Sequence, residues 1–593
     1  MTRQEQSAPD AESNDDSSAA VDSERVVPTE AEREQSVAAH KVDGDAIKAK
    51  VARSYELVPE IGTRWLRWYD IPYRILIWLQ TSWRRRVLPW RLRHRLNNGL
   101  NFLLAFDQYR REKVKPLDDP LDNLLVPPDE QVAQGGMWVV EFFPPSYYSE
   151  LREALDANGW DARNHLRAID GTNSEQVTRA RRGQEFGWSK IGTVADPDSR
   201  YLLFGAKREN LPDEFSLIEL TAVQIGRSLT AVVAFIRLSD LGKNALNSVW
   251  KAQHEPTLTW QGLRRPHVKN RHFAALHATQ RERQRMHDLG RSWLAERCGG
   301  YFAGTEARQP VVDFSLFENF DPTLGRPPRE VGDSLRALGL EGDHLYNYLS
   351  PQLAGAVFVR GQSFGRTDAF LRNCWGVVGN YDTFARLNDR DYYGSRPYSV
   401  FTFAHMFDDE IRSFLLHTAV AQYTKQLRET FSNARDTARK THHKFKPTEL
   451  EKLRHEMLTT SLDLPVVSRD TALWWERGYP GGISVKAVPM PGIPHSPEEF
   501  DFIKHLGDQR SDAFDQLVKD DVAYRDVLST ASALGASAAS TRLGRRALFV
   551  SATSLAVSAT TILTANGAAV WHLATTVFAT SGAAVWQQIV EWS

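Results

Sequence analysis

The chain has 593 residues, more than one hydrophobic core normally holds, so two or more domains are expected. Lys and Arg total 73 against 74 Asp and Glu, a net charge of −1, which excludes a global field that would draw in nucleic acid or an acidic substrate. Cys298 and Cys374 are the only two cysteines; they exclude a disulfide scaffold and a Cys-x-x-Cys metal or redox pair, and they fit a reducing compartment.

Charge is unevenly spread. Residues 1–40 carry ten acids and three bases, a net of −7, and the first 45 residues have no aromatic. Such a segment buries too little apolar surface to offset its ordering entropy, so residues 1–60 are predicted to be a disordered acidic tail. No basic stretch followed by an apolar run opens the chain, so no secretory signal is predicted.

Residues 61–115 read as basic, aromatic, amphipathic helices. Between 64 and 115 stand thirteen bases and three acids, a net of +10. Trp65, Trp68, Trp78, Trp83 and Trp90 interleave with arginines that include Arg84, Arg85 and Arg86. Pro72 and Pro89 are expected to divide the segment into short pieces. Indole rings settle at headgroup level and guanidinium groups meet phosphates, so these eight residues are candidate membrane-interface residues. The alternative is a helical arm packed on the main domain with solvated arginines. Base stacking with phosphate contacts is a third use of such a segment, but nucleic acid is not expected as a partner.

A Pro/Asp-rich linker over 116–136 leads into a mixed domain predicted for 137–405. Apolar runs predict strands at 137–143, 200–206, 215–225, 228–238, 311–317, 354–360, 374–379 and 397–404, with Gly226 making a hairpin of the third and fourth. Helices are predicted after Ser146, read as an N-cap, with a stop at Asn158-Gly159, and over 268–297. Strands and helices mixed in this way imply an α+β or α/β fold. Residues 406–475 read as helical, in two pieces, and 476–497 as a Pro/Gly loop. A long helix is predicted over 498–546 and, if it continues to Ala565 without breaking at Gly535 or Gly544, it spans about 100 Å. Along it Asp521 interrupts the apolar spacing of Phe514, Leu517, Tyr524 and Leu528.

Few motifs carry chemistry. No phosphate-binding loop or dinucleotide fingerprint is present, and the motifs name no cofactor and no metal. "GQSFG" (361–365) matches Gly-x-Ser-x-Gly between a predicted strand and a possible helix, which makes Ser363 the candidate nucleophile, with Asp389, Asp391 and His405 following in triad order. An ordinary turn accounts for the same letters. "GDSL" (332–335) resembles a hydrolase motif but lacks a preceding strand. His267, His272 and His277 recur every five residues, which separates neighbours by about 140° on a helix and rules out one shared face. Cys374, within "RNCWGVVGN", reads as a buried thiol rather than a nucleophile.

Near the end of the sequence 44 residues are free of Asp, Glu, Lys and Arg, from Ala547 to Val590. Ala547–Ala565 and Ala568–Val590 approach the length of a membrane span, and Asn566-Gly567 between them is a hairpin turn. The segment 547–590 is therefore predicted to be a transmembrane helical hairpin. Arg542, Arg545 and Arg546 flank its entrance and would keep that end, the main domain and both termini in the cytoplasm. Seven hydroxyl residues in the first span, and the small pairs Ala552/Ala556 and Ser554/Ser558, favour packing against other helices. Membrane lipid and a homo-oligomer formed through the C-terminal helices are the expected partners.

A mixed cytoplasmic domain, long helices and a C-terminal two-span hairpin together resemble the CorA-type magnesium channels in their order of elements. That family carries Gly-Met-Asn after its first span; here Thr564-Ala565-Asn566-Gly567 holds the place, so no ion site is carried over. Three functions follow as expectations. The first is a membrane-anchored protein whose cytoplasmic domain senses, binds or acts on something. The second is a CorA-like channel or transporter, and the third an enzyme with its site in 137–405, such as a serine hydrolase using Ser363.

Overall fold

The computed structural model describes residues 48–49, 52–64, 67–81, 83–115, 123–161, 171–183, 187–198, 206–261, 265–305, 308–323, 328–340, 345–361, 373–388, 398–442, 447–477, 482–490 and 498–565. The protein is a mixed α+β body built on one large sheet. Its strands are β1 Val132–Phe143, β2 Gly187–Ala195, β3 Lys207–Arg208, β4 Phe215–Ile225, β5 Leu229–Leu238, β8 Val311–Phe317, β9 Tyr346–Leu349, β10 Ala356–Arg360, β11 Cys374–Asn380, β12 Lys486–Pro489 and β13 Phe500–Asp501. They lie in the order β13-β12-β9-β10-β11-β8-β1-β5-β4-β2-β3. Pairing is antiparallel except for β8 with β11 and β2 with β3. A separate hairpin joins β6 Thr257–Gln261 to β7 Arg265–Lys269.

The central strands are buried at nearly every position because both faces are covered. Trp138, Val140 and Phe142 of β1 point to one face, beneath helices Val400–Met406, Asp408–His442, Pro447–Arg477 and the start of Phe502–Ala565. Met137, Val139 and Phe143 point to the other, beneath helices Tyr148–Ala157, Asp240–Lys251 and Arg271–Cys298. Two polar contacts tie the first layer to the sheet. The Trp138 indole donates to Asp408 at 2.7 Å. Asp470 accepts from the backbone N–H groups of Arg227 and Ser228 at 2.8 Å each, capping the β4–β5 turn. Gly226 occupies that turn at φ +64, and a Cβ there would strike the Asp470 side chain, so glycine is required twice over.

Several expectations change. The sheet does not end at residue 405. Helices from 408 to 477 and the beginning of the last helix form its cover, and β12, inside the predicted Pro/Gly loop, pairs with β9. The predicted linker is shorter, since β1 starts at Val132 with a bulge between Gln134 and Gly136. Part of the predicted disordered tail, residues 52–57, is helical. The predicted strand at 397–404 is a helix, because Val400, Phe403, Ala404 and Phe407 are buried at helical spacing and Ser399 caps the Thr402 N–H at 3.1 Å. Ser146 is no N-cap; its hydroxyl donates to Asp463 at 2.5 Å. "GDSL" lies within helix Pro328–Ala337, not after a strand. Most of the predicted strand at 200–206 falls outside the described residues.

The arm over 61–115 folds as helices Asp70–Gln80, Arg84–Val87 and Trp90–Val114. Pro72 sits in the first turn of the first helix, where a missing N–H costs nothing, so only Pro89 marks a break. A small core of Ile61, Tyr69 and Leu103 holds the two longer helices together. Arg67 bridges them, donating to Asp70 at 2.8 Å and to Asp107 at 3.4 Å. The arm reaches the body through Phe102, stacked on Trp260 of β6 at 5.3 Å, and through Arg271, which donates to the carbonyls of Lys113 and Lys115.

The last helix runs unbroken from Phe502 to Ala565, 64 residues, through Gly535 and Gly544. At 1.5 Å per residue it is about 96 Å long. Its first turns are buried through Phe514, Leu517 and Tyr524. Asp521 keeps the same inward face because it accepts a hydrogen bond from the Ser461 hydroxyl and pairs with Arg525.

Glu141 is buried on β1 and accepts four hydrogen bonds, from the backbone N–H groups of Phe142, Phe302 and Ala303 and from Gln309. Burial dominates and raises its pKa to about 7, with the four donors opposing. A carboxyl whose folded pKa exceeds its unfolded value stabilises the fold below the unfolded pKa and loses that contribution as pH rises through the folded one. Stability measured by denaturant unfolding should therefore fall between about pH 4.5 and 7, by on the order of 3 kcal/mol from this residue. Glu141→Gln should flatten that slope while lowering stability at acid pH by about 1–3 kcal/mol, since an amide N–H₂ would face N–H donors. An unchanged slope in the variant would assign the pH dependence elsewhere.

Candidate functional site

Helix Arg271–Cys298 starts at Asn270, whose side chain accepts from the Phe273 N–H at 2.9 Å. Arg283, His287 and Arg291 follow one another at four-residue spacing, so they share one face, and all three are buried against the sheet. Gly290 lets the helix approach; a Cβ there would lie 2.7 Å from Met137 Cε. From the sheet, β8 contributes Asp313 and β11 contributes Cys374, side by side in parallel register with Asp313 opposite Gly376.

These residues form a continuous chain of polar contacts. Asp313 Oδ2 accepts from Arg283 Nε at 2.6 Å and lies 2.9 Å from His287 Nε2. The other ring nitrogen, His287 Nδ1, lies 3.3 Å from Cys374 Sγ. Arg283 also donates to the Trp375 carbonyl at 3.3 Å. One helical turn further on, Arg291 donates to the Gln309 carbonyl at 2.8 Å, and the Gln309 amide reaches Glu141 at 2.9 Å.

Burial by itself would neutralise such groups. For Asp313 burial is opposed by the Arg283 charge and then by His287, and the carboxyl ends below its ordinary range. For Cys374 burial is opposed by Arg283 and then His287, and the thiol ends below its ordinary value. For His287 burial is opposed chiefly by Cys374 and by Asp313, and the ring ends above its ordinary value. The set therefore makes Cys374 more acidic and His287 more basic than the free groups, with Asp313 orienting the ring.

Thiol, imidazole and carboxylate in this sequence of contacts form the nucleophile–base–orienter order of thiol catalysis. Access decides against catalysis in this conformation. Cys374 is fully buried, and the cavity beside Arg283, His287, Asp313 and Gln134, about 20 Å³, has room for one water. The ligand atoms of His287, Asp313 and Cys374 lie within 4.8 Å of one another, as a metal site requires. Arg283 shares the same Asp313 oxygen, however, and both imidazole nitrogens are engaged, so a cation would have to displace a guanidinium. The geometry suits a buried charge relay that fixes helix to sheet.

The next residue along β11 faces the opposite way. Trp375, with Arg360 of β10, lines a cleft of about 1000 Å³ between helix Asp408–His442 and the start of helix Phe502–Ala565.

The candidates read from sequence lie elsewhere. Ser363, Asp389 and Asp391 fall outside the described residues, as do Trp65, Asn566, Gly567 and the side chains of Arg85 and Arg542. His405 packs between Phe235 and Phe401, with Nδ1 3.9 Å from Glu219. Trp68, Trp78, Trp83, Arg86 and Trp90 are exposed on the arm, with Arg84 partly covered, and Arg545 and Arg546 are exposed on the last helix. His287 and Asp313 were not singled out by motif. Their signal is an acid in the middle of the apolar run "VVDFSLF" and a basic column at four-residue spacing, both of which need a buried partner.

The two thiols should titrate in opposite directions, because burial raises Cys298 far above its ordinary value with no cation to oppose it. Thiolate absorbance of the folded chain should rise in one step below the ordinary cysteine pKa of about 8.5. Cys374→Ser should abolish the step, His287→Ala should move it upward, and Cys298→Ser should leave it in place. Absence of any thiolate signal below that value in the native chain would show that Cys374 is a neutral thiol. No family model matches the chain, and neither does any curated protein or solved structure, so the chain's own geometry carries the functional reading.

Proposed function

We propose that this is a membrane-anchored protein whose α+β body works at the cytoplasmic membrane surface as a sensing, binding or effector domain. One observation carries the reading: the last helix leaves the body and exposes apolar side chains on all sides. Leu548, Phe549, Val550, Leu555 and Val557 are 57–73% exposed. Three consecutive residues on a helix cover about 200° of its circumference, so docking on one side cannot bury Leu548, Phe549 and Val550 together. Lipid, or lipid with neighbouring helices, covers such a surface.

Among the described residues no helix is long and apolar enough to cross a membrane. The hydroxyl groups of the segment lower its mean hydropathy, and the helix itself occupies several of them. Thr553 donates to the Phe549 carbonyl at 2.8 Å, Ser554 to Ser551 at 2.9 Å and Ser558 to Ser554 at 2.8 Å. Internal bonds of this kind reduce the cost of placing hydroxyls in lipid. Arg545 and Arg546 at the entrance favour a cytoplasmic body, and Ser554 with Ser558 offers a small-residue face for a second copy.

The arm supplies independent support. Ile71, Ile75 and Trp78 lie on one face of helix Asp70–Gln80 and are 43–56% exposed, while Tyr69, Tyr73 and Leu76 turn inward. Trp83, Val87 and Trp90 continue the exposed surface, and the Arg84 guanidinium lies 3.8 Å from the centre of a Trp78 ring. Aromatic and aliphatic residues mixed with arginine match an anionic bilayer interface.

Flotation with phosphatidylcholine/phosphatidylserine vesicles tests both contacts. The full chain should float, and a chain ending at Gly544 should move mainly to the aqueous fraction. The triple change Trp78→Ala, Trp83→Ala, Trp90→Ala in the truncated chain should weaken its residual vesicle binding at least about tenfold. A full-length chain that stays in the aqueous fraction would sink the anchor.

A further inference from the structure

We infer that the cleft on the far side of β11 is a binding site for a phosphate-bearing polyanion. Its wall carries Arg360, Lys425, Arg428 and Arg510 against a single carboxylate, Asp512, a local charge of +3 from four cations and one anion. Among the described residues, the side chains of Arg360, Lys425 and Arg428 make no hydrogen bond and no ion pair, although the Arg360 guanidinium lies over the Trp375 ring. Other cations of the body have carboxylate partners, as Arg412 has Asp408 and Asp409 and Arg285 has Glu282 and Glu214. An unmatched cluster around one concave surface is a standing demand for negative charge.

Arg510 adds the second observation. It is only 6% exposed, lies over the Trp475 ring at 5.0 Å, and its buried Nη1 has no hydrogen-bond partner. A buried guanidinium N–H left unbonded is costly, and a bound oxyanion supplies the acceptor. Burial lowers its pKa, with the fields of Glu476 and Asp515 opposing, and a bound anion would act in the same sense as those carboxylates.

The size and lining set the ligand class. About 1000 Å³ exceeds what one inorganic anion fills and suits a small organic molecule. Gln422, Gln509, Gln516 and Thr418 add neutral donors and acceptors to the wall. Three surplus positive charges match a diphosphate or a phosphate monoester with a second anionic group better than a lone carboxylate. That chemistry comes from a soluble phosphorylated metabolite or from a lipid headgroup, and the site itself does not require the anchor.

Calorimetric titration of the full-length chain in detergent separates the sources, with sodium pyrophosphate, ATP and monomeric short-chain phosphatidic acid as probes. At least one probe should bind, with affinity falling as salt rises. Lys425→Glu with Arg428→Glu, both exposed on the helix surface, should weaken that binding at least about tenfold, and Arg360→Glu should weaken it further. Binding of pyrophosphate or ATP identifies a soluble ligand, and binding of phosphatidic acid alone identifies a lipid headgroup. If no probe binds, or if the double variant binds as tightly as the native chain, the site is not an anion site. Either failure leaves the vesicle result untouched, because pyrophosphate and ATP bring no membrane.

Discussion

The sheet has no face to give to water, and most of the architecture follows from that. β1, β4, β5 and β8 are buried on both sides, so two helical layers are obligatory. The layer over Met137, Val139 and Phe143 comes from helices between 148 and 298 and from helix Pro328–Ala337. The other comes almost entirely from the chain after residue 400. The C-terminal half is therefore a necessary wall of the same body, and removing its helices would expose Trp138, Phe142 and Phe314. This constraint also gives the last helix its double character: its first turns belong to the core, while among the described residues nothing covers Leu548, Phe549, Val550, Leu555 and Val557 further along.

Burying both faces makes any polar residue in a central strand a structural event. Glu141 and Asp313 are such residues, and both face helix Arg271–Cys298 or its continuation into residues 301–304. Their compensation differs. Glu141 is met by neutral N–H donors and has its pKa pushed up; Asp313 is met by a guanidinium and an imidazole and has its pKa pushed down. Arg283 is the residue on which the second arrangement depends, since its charge is the largest favourable influence on both Asp313 and Cys374. A buried charge set of this kind seldom adds net stability over an apolar one, but it specifies one register of helix on sheet.

Much of this was legible in the sequence where periodicity was strong. The hairpin around Gly226, the strands at 311–317 and 374–379 and the long final helix appear close to their expected bounds. The failures have physical causes. Val400, Phe401 and Phe403 have strand-like side chains, but Ser399 supplies a cap and the buried positions follow a helical period. β12 has four residues, too few to show alternation inside a Pro/Gly-rich stretch. Asp521 looked like a break in a helical face because its Ser461 partner is 60 residues away. The same distance problem hid the relay: His287, Asp313 and Cys374 come from one helix and two strands, and only the parallel pairing of β8 with β11 brings them together.

That pairing also explains why one strand serves two different environments. Successive side chains on β11 alternate, so Cys374 enters the buried relay and Trp375 forms a wall of the cationic cleft. Arg283 grips the Trp375 carbonyl from the relay side, and Arg360 lies 5.0 Å over the Trp375 ring from the cleft side. Trp375 is thus held at two points, by its carbonyl on one face and by its ring on the other. Gly376, next in line, leaves no slack, since a Cβ there would lie within 3.1 Å of the Arg283 guanidinium and closer still to Leu340. The unmatched charges of the cleft and the matched charges of the relay therefore meet at one residue, Trp375, whose ring faces the first and whose carbonyl faces the second.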